Sequence, residues 1–259
     1  MKISTINLLA TAAILAASTV ASAQSRTNAK VAAPAVQSAL PGIAPIQSNP
    51  YGQSYGEWSA HLWQWEFMQP VTASLVFDTA GCSAGQSGPV WFLGGIIVPS
   101  STMGYTAVAP PRTCTVPAGV SLFIPLMNAE CSSMTNDNFG DASEAGLRSC
   151  AEFFANMINR NTLSVTVDGV QISGSALAQY RAESPLFQFG PLPQGNPFDL
   201  IESGPTQGDV ATSVSDGYYV MLRPLSAGKH VVHFYGEVDM PDGSLIFAQD
   251  ITYHLIVGR

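Results

Sequence analysis

The stretch DGYYVMLRPLSAGKHVVHFYGEV, residues 216–238, decides the fold class of this chain. Two runs rich in Val, Tyr, Phe and Leu, 217–222 and 229–238, flank the link PLSAG, which its Pro and Gly mark as a turn. A third run, 245–257, follows the turn signal Pro-Asp-Gly at 241–243. The pattern predicts three consecutive strands towards the C-terminus.

Shorter strand signals lie upstream. Leu and Val alternate with Thr and Ser over 163–167, and the Asp-Gly pair at 168–169 predicts a two-residue hairpin turn into 170–172. The runs 90–93 and 120–126 are apolar and bounded by Gly and Pro. Roughly eight or nine strands at such spacing predict a mainly β domain, an antiparallel two-sheet β-sandwich or jelly roll.

Helical periodicity predicts two α-helices inserted among these strands, at about 55–68 and about 143–160. The first is followed by Pro70, which ends it. The second begins at Asp141 or Ser143 as its N-cap. One face of this helix collects the residues Leu147, Cys150, Phe154 and Ile158.

The N-terminal residues 1–23 predict a Sec-type signal peptide, because Lys2, an apolar run and the small-residue site Ala-Ser-Ala at 21–23 follow in order. Residues 24–50 are rich in Ala, Pro and Gln and contain no aromatic or acidic residue, which predicts a flexible leader. Residues 51–259 remain as a single domain. The sequence therefore predicts a chain exported to the periplasm or the extracellular space, without a membrane span.

The formal net charge is −8, although only 11% of the residues are charged. An acidic, lysine-poor surface argues against a nucleic acid as partner, because phosphate binding needs clustered Lys and Arg. The same charge argues against docking on anionic lipid. The low content of charged residues is one reason why an extracellular glycan is the expected ligand, and the oligomeric state stays open.

The four cysteines, Cys82, Cys114, Cys131 and Cys150, predict disulfides in an exported chain. Three pairings are possible, and closeness along the chain favours Cys82–Cys114 with Cys131–Cys150. A four-cysteine zinc site would require close Cys-x-x-Cys pairs, which the sequence lacks.

Four stretches resemble a family of secreted bacterial β-sandwich proteins that is itself uncharacterised. They are YGEWSAHLWQWEF, GQSGPVWFLGG, RTCTVPAGVSLFIPLMNAEC and DGYYVMLRPLSAGKH. The resemblance covers roughly residues 51–257. It implies a secreted β-sandwich and brings neither an activity nor catalytic residues.

Three of the four tryptophans lie in the first predicted helix. Trp58, Leu62 and Trp65 share one stripe, and Trp63 with Phe67 belongs to a second stripe on another side. A helix that is apolar on two sides is normally buried on two sides. The tryptophans are therefore predicted to be mainly core residues, with a ligand-binding wall that includes Trp63 as the alternative.

The polar stripe of the same helix contains Glu57, His61 and Gln64. Glu57 and His61 are four residues apart, so they can form an acid/base pair if the stripe lines a cleft. If the stripe faces water, they form an ordinary helix-surface pair. A third interpretation has Glu57 bonding amides of the Gly-rich segment 81–95.

Asn128 and Glu130 end an apolar strand and share one of its faces. Glycoside hydrolysis requires two carboxyl groups at a defined separation, which Glu130 can supply with Glu57, Glu237 or Asp239. An equally natural interpretation of Glu130 is a bond to neighbouring loop amides. Catalytic candidates are thus Glu57, His61 and Glu130.

A long Pro-rich loop is predicted around 99–111, where ligand-contacting residues commonly lie on a β scaffold. Tyr105 and Arg112 are its natural contact residues. Together with Trp63, Gln64 and Asn128 they are the predicted ligand-binding set.

The letters Gly-Cys-Ser-Ala-Gly at 81–85 match a nucleophile elbow, which needs a strand such as 75–77 before it and a helix directly after it. Pro89 and two glycines oppose that helix, so we interpret the match as coincidence.

The histidines do not predict a zinc or copper site. His230 and His233 lie on opposite faces of one strand, so they cannot bind the same metal there. His233 and His254 can meet across adjacent strands, but the sequence offers no third ligand beside them.

Calcium is a minor alternative to the prediction of no cofactor and no metal. Its oxygen ligands would come from Asp78 and the loop TNDNFGD, with Asn136, Asp137, Asn138 and Asp141. A plain turn rich in Asn and Asp explains the loop better.

These observations lead to an exported binding protein, with glycan as the expected ligand class. The first alternative is a polysaccharide-acting hydrolase or lyase that uses Glu57, His61 and Glu130. The second is a structural surface or matrix subunit. The sequence does not decide whether the protein is an enzyme.

Overall fold

Eleven strands and two α-helices make up the residues that the computed structural model describes, which are 42–96, 104–134, 139–200 and 205–258. The helices are α1 (Tyr55–Phe67) and α2 (Glu144–Asn156). In chain order the strands are β1 (Val90–Phe92), β2 (Tyr105–Val108), β3 (Arg112–Val116), β4 (Ser121–Ser132), β5 (Ser164–Val167), β6 (Val170–Ser173), β7 (Arg181–Glu183), β8 (Phe187–Phe189), β9 (Ala211–Leu222), β10 (Gly228–Asp239) and β11 (Leu245–Val257).

The first sheet has five strands in the order β1-β4-β9-β7, and β8 also pairs with β9. β4 and β9 are antiparallel over most of their length, with an irregularity between Pro125 and Met127. Proline has no amide hydrogen for the ladder, so a bulge at Pro125 is the expected response. The extra residue of the bulge also shifts the alternation of β4 by one position, so that after the bulge the opposite set of positions faces a given side of the sheet.

The second sheet has six strands in the order β2-β11-β10-β5-β6, and β3 also pairs with β11. β10 and β11 form a long antiparallel pair. The β5–β6 hairpin turns at Asp168 and Gly169, both at positive φ, as its two-residue turn requires.

The predicted two-sheet β-sandwich with two helices is confirmed, although the sheets are mixed rather than purely antiparallel. β1 joins β4, and β2 and β3 join β11, in parallel. The segment Leu75–Phe77 forms a 3-10 helix instead of the possible strand, and α2 ends at Asn156 rather than near 160.

The fold also begins earlier than residue 51. Ile43 is buried and forms a β-bridge with Leu222, and the amide of Ala44 donates to the Met221 carbonyl at 2.8 Å. The end of the predicted leader therefore belongs to the domain, because its isolated apolar residues extend the core. Residues 1–41, with the predicted signal peptide, lie outside the described part of the chain.

Both helices pack on the five-stranded sheet. α1 begins with a capping box, in which the Ser54 side chain accepts from the Glu57 amide and Glu57 accepts from the Ser54 amide. Its Tyr55 hydroxyl donates to the Ala44 carbonyl at 2.6 Å and accepts from the Met221 amide at 3.0 Å. α2 is attached to β4 by a disulfide.

The predicted two-sided burial of α1 is confirmed. Trp58 and Trp65 are buried and contact Phe92, with ring centroids 6.5 and 5.6 Å apart respectively. On the other side, Phe67 packs against the stacked rings of Phe189 and Phe198 in a separate aromatic cluster.

The predicted disulfide pairing is confirmed as Cys82–Cys114 and Cys131–Cys150, with Cα atoms 5.4 and 6.0 Å apart. Two disulfides fit an oxidising, exported environment. Across the ranges that the structure describes, no helix is long and apolar enough to cross a bilayer.

The two sheets are joined by a buried amide as well as by apolar packing. Gln249 of β11 donates from Nε2 to the carbonyls of Pro125 and Leu126, at 3.0 and 2.7 Å, where β4 bulges. At Gly236 of β10 an added Cβ would lie 2.8 Å from the Leu126 carbonyl oxygen, so only glycine permits this approach between the sheets.

We expect Gln249→Met to lower the free energy of unfolding by about 2 kcal/mol, because two buried carbonyls lose their donor while side-chain volume is retained. Denaturant unfolding followed by tryptophan fluorescence measures this loss. Gln171→Met, at an exposed position of β6, is the matched control and should change stability little. Equal effects of the two substitutions would contradict a role for Gln249 in joining the sheets.

Candidate functional site

Glu57 is a helix-capping residue. Its carboxylate accepts hydrogen bonds from the Ser54 amide at 2.6 Å and the Ser54 hydroxyl at 2.8 Å. These two bonds, the amide first, hold the pKa of Glu57 below its ordinary range. The carboxylate is exposed and stays ionised, so it is suited to accept hydrogen bonds and poorly suited to act as a general acid. Its amide partner is Ser54 and not the segment 81–95.

The other polar residues of α1 make local contacts. The Nδ1 atom of the exposed His61 lies 3.0 Å from Gln64 Oε1, and its ring meets the Trp58 edge with centroids 5.6 Å apart. Gln64 donates from Nε2 to the Gln188 carbonyl at 2.7 Å, which ties α1 to β8. Trp63 is half-buried, with its ring centroid 5.1 Å from that of Phe67. The polar stripe thus makes hydrogen bonds within α1 and from α1 to β8.

Asn128 and Glu130 lie half-buried on β4, on the sheet side that α1 covers. Glu130 accepts a hydrogen bond from the Ser213 hydroxyl of β9. Asn128 lies beside the hydroxyl of Tyr219, and burial raises the pKa of Tyr219 to about 12. Glu57 and Glu130 therefore accept hydrogen bonds from different parts of the chain, Glu57 from Ser54 at the start of α1 and Glu130 from Ser213 of β9.

Neither Tyr105 nor Arg112 belongs to a loop, which corrects the prediction from the sequence. Tyr105 begins β2, and its side chain lies outside what the structure describes. Arg112 is the first residue of β3 and is only 7% exposed. The prediction that Arg112 contacts a ligand at the surface is wrong, because its guanidinium is buried in the core and is not accessible to a large ligand.

Arg112 is the centre of a buried polar network. Its Nε donates to Asp78 Oδ1 at 2.7 Å. Its Nη1 donates to the carbonyls of Gly94 and Gly95 at 2.8 and 3.2 Å, and to the Tyr253 hydroxyl at 2.7 Å. Tyr253 in turn donates to the Gly94 carbonyl at 2.7 Å. Within the described ranges, the buried Nη2 has no hydrogen-bond partner.

Glu66 of α1 faces this network and is 4% exposed. Burial raises the pKa of Glu66 to about 8, and the positive charge of Arg112 opposes that rise. A Cβ added at Gly94 would lie 3.2 Å from Glu66 Oε1, so the carboxyl group is in tight contact with the β1 end. A perturbed buried acid can mark a functional site, but this one is enclosed by packing and has a structural role.

The remaining candidates, the motif at 81–85 and the histidines, do not form catalytic or metal sites in the residues that the structure describes. The letters at 81–85 follow a 3-10 helix, contain the disulfide-bonded Cys82 and lead to β1 rather than to an α-helix, so they are not a nucleophile elbow. His233 pairs with Asp250 and His230 with Asp168. In the part of the chain that is described, no group of three His, Cys, Asp or Glu can hold a metal. Residues 136–138 lie outside it.

The outer face of the six-stranded sheet is open to solvent, and we call it the open face. It carries the outward side chains of β10 and β11, which alternate with buried ones such as Val232 and Phe234. Apolar residues are exposed on it as well, since Val231 and Ile256 keep 41% and 42% of their surface accessible. Both helices lie on the other sheet, which leaves this face uncovered by them.

A tyrosine surrounded by polar groups occupies one end of the open face. The Tyr235 hydroxyl donates to Glu237, two residues further along β10, and Asp250 of β11 lies directly opposite Tyr235. His233 Nε2 lies 2.7 Å from Asp250 Oδ1. At the strand end, Asn159 Nδ2 donates to Asp239 Oδ2 at 2.7 Å.

Partial burial and the hydrogen bond to Glu237 raise the pKa of Tyr235 to about 12, with further contributions from Asp250 and Asp239. The phenol is therefore neutral at physiological pH and donates a hydrogen bond. We call these residues the Tyr235 cluster: Tyr235, Glu237, His233, Asp250, Asp239 and Asn159.

Sequence reasoning did not find the Tyr235 cluster, although it named Glu237, Asp239 and His233 singly. The available signal is the alternation of β10, which puts positions 229, 231, 233, 235 and 237 on one side. The sequence alone does not say which side is covered, because that depends on where the helices pack.

Comparisons of the chain with protein-family models, with curated proteins and with solved structures found no match. The function is therefore inferred from the geometry of the open face.

We expect Glu66→Gln to become more stable relative to the wild type as the pH rises. The folded-state pKa of Glu66 is raised to about 8. The contribution of Glu66 to folding stability is therefore present at low pH and is lost as the pH rises from about 4.5 to about 8. The stability difference between variant and wild type should change by more than about 1 kcal/mol between pH 5 and pH 8. Denaturant unfolding at both pH values measures it.

Glu57→Gln is the matched control for that experiment. The pKa of Glu57 is held below its ordinary value of 4.5. The contribution of Glu57 to folding stability is therefore lost only when the pH falls below this value. The effect of Glu57→Gln should be constant from pH 5 to pH 8. The same constancy in Glu66→Gln would show that Glu66 is ionised throughout this range.

Proposed function

We propose that this protein is an exported glycan-binding protein and that the open face is its binding surface. The observation that carries the proposal is Tyr235 on an open, extended strand face, flanked by Glu237, Asp250 and Asp239. Sugars combine an apolar C–H face with a rim of hydroxyl donors, so an aromatic ring next to hydrogen-bond acceptors suits both requirements of a sugar.

The Tyr235 cluster supplies both requirements. The ring of Tyr235 offers an apolar surface, and the carboxylates of Asp239 and Asp250 accept hydrogen bonds from hydroxyl groups. Such bonds to an ionised acceptor are stronger than neutral ones. The phenol hydroxyl is already held by Glu237, which fixes the ring orientation before a ligand arrives and lowers the entropy cost of binding.

Export fits this role. The two disulfides agree with an oxidising compartment, where extracellular and periplasmic glycans are found. We propose the Sec route on the pattern of residues 1–23, with a final location in the periplasm or outside the cell.

The alternative of a polysaccharide hydrolase or lyase has less support. It would employ Glu57, His61 and Glu130, yet Glu57 is an ionised helix cap, and Glu130 accepts a hydrogen bond from Ser213. A general acid needs a raised pKa, and the cap lowers that of Glu57. We therefore favour binding over catalysis.

One observation favours assembly as a second candidate function. β6 lies at the edge of its sheet, and Val170 at its start is 70% exposed. An edge strand can accept a strand from a partner chain, as a structural surface subunit would require. Filament formation or oligomers of the purified protein in light scattering would support this candidate.

The first experiment is a thermal-melt screen of residues 24–259 against a panel of soluble neutral and acidic oligosaccharides. A ligand that binds only the folded state stabilises it by about 2.7 kcal/mol at a hundredfold excess over Kd. A raised Tm identifies the ligand class, and chromatography of the incubated ligand shows whether it is cleaved. A panel without any shift would overturn the proposal.

For a glycan identified in that screen, we expect Tyr235→Ala to weaken binding by about tenfold, which is the loss of an aromatic contact worth more than about 1 kcal/mol. Isothermal titration calorimetry measures Kd. Phe153→Ala is the control, because Phe153 is an exposed ring on α2 that is 50% accessible. Unchanged affinity in Tyr235→Ala, with its fold verified by circular dichroism, would exclude the open face.

A further inference from the structure

A groove lies on the open face at the end opposite the Tyr235 cluster. It has a volume of about 320 Å³ and is lined by residues of β3, β10, β11 and the β5–β6 turn. Lys229, Val231, His254, Ile256 and Thr113 contribute to the lining. In register, Lys229 lies opposite Ile256, and Val231 lies opposite His254, so these four residues form a continuous patch.

The one carboxylate among the lining residues, that of Asp168, is already neutralised. Its Oδ2 lies 2.7 Å from Nδ1 of His230, and its Oδ1 accepts from the Val231 amide at 2.9 Å. The other ring nitrogen of His230, Nε2, lies 2.9 Å from the Ser226 carbonyl. Both nitrogens therefore face acceptors, which favours the doubly protonated, positively charged imidazole. Asp168 and His230 then cancel in charge.

Lys229 remains as an uncompensated positive charge. The chain has three lysines, Lys2, Lys30 and Lys229, and only the last lies in the residues that the structure describes. Among those residues, Lys229, Arg160 and Arg223 form no ion pair, whereas Arg112, Arg148 and Arg181 are each paired with a carboxylate, and of the three unpaired cations only Lys229 lines the groove. A chain with a net charge of −8 thus presents a free ammonium in a groove.

Hydrogen-bond donors and apolar surface surround this charge. His254 and the hydroxyl of Thr113 lie next to each other in register between β11 and β3. The exposed side chains of Val231 and Ile256 provide apolar contact area. This combination suits a ring with an apolar side and one negatively charged substituent.

We infer that the groove binds the carboxylate of a uronic acid unit within the glycan. The inference rests on the proposed function and adds to it the chemical class of one sugar. The ammonium of Lys229 pairs with the carboxylate, and Val231 and Ile256 contact the ring. Thr113 and His254 hydrogen-bond to its hydroxyl groups.

The charge distribution orients the ligand along the open face. From Lys229 to Tyr235 the strand advances about 20 Å, at about 3.3 Å per residue. An oligosaccharide is needed to span this length. The carboxylates of the Tyr235 cluster repel a negative charge, so a neutral sugar occupies that end and the acidic sugar occupies the groove. The expected glycan therefore carries separated uronic acid units among neutral ones.

The test compares two matched ligands on the full mature chain. One is a xylo-oligosaccharide with a single glucuronic acid unit, and the other is the same oligosaccharide after its carboxylate has been reduced to a hydroxymethyl group. We expect the acidic form to bind about tenfold more tightly, because the bond from Lys229 is charge-assisted. In Lys229→Gln this preference should disappear, while binding of the reduced form is unchanged.

Arg160→Gln is the control variant. It removes one positive charge at an exposed position that does not line the groove, so it should retain the preference for the acidic form. Acylation of lysines supplies a second readout. The acidic oligosaccharide should protect Lys229 from an amine-reactive reagent, with Lys30 as the internal reference, and the reduced form should protect it less.

The outcomes separate this inference from the proposed function. Equal binding of the two forms, or binding of only neutral glycans in the screen, overturns the groove inference and leaves glycan binding intact. A preference for the acidic form that persists in Lys229→Gln also overturns it. Absence of binding to every glycan tested overturns both.

Discussion

The buried guanidinium of Arg112 is the interaction on which the arrangement of this fold depends. A charge inside a protein is costly unless hydrogen bonds and an opposite charge compensate it. Arg112 of β3 obtains that compensation from Asp78, from the Gly94 and Gly95 carbonyls and from Tyr253 of β11. Its partners thus come from the segment before β1, from the residues that follow β1 of the five-stranded sheet, and from the neighbouring strand β11 of its own sheet. Satisfying one side chain therefore fixes the relative position of these elements.

The position of the helices follows from the same interior. Glu66, a buried acid whose pKa is raised by burial, brings α1 against this network, and the capping box at Ser54 and Glu57 fixes where that helix begins. α2 is held on the five-stranded sheet by its disulfide to β4. With both helices on one sheet, the outward residues of β10 and β11 remain accessible. The open face is thus a consequence of where the chain places its helices.

An accessible strand face with opposite charge at its two ends is suited to an extended ligand. The Tyr235 cluster concentrates carboxylates around a neutral phenol, and the groove presents Lys229 beside a neutralised Asp168–His230 pair. Strand geometry separates these ends by about 20 Å. Binding across both ends would select a ligand by length as well as by charge.

Local patterns in the sequence determined the strands of the C-terminal third, the hairpin at Asp168-Gly169 and helix α1, and they favoured the pairing of the four cysteines that the structure shows. Each follows from residues near one another in the chain, through side-chain alternation, turn chemistry or loop closure. Only the tertiary structure decided that Arg112 and Glu66 are buried, that β1, β2 and β3 pair in parallel, and that Tyr235 lies on an accessible face. These properties depend on which elements distant in the chain cover one another, and alternation along a strand separates two faces without indicating which one meets water.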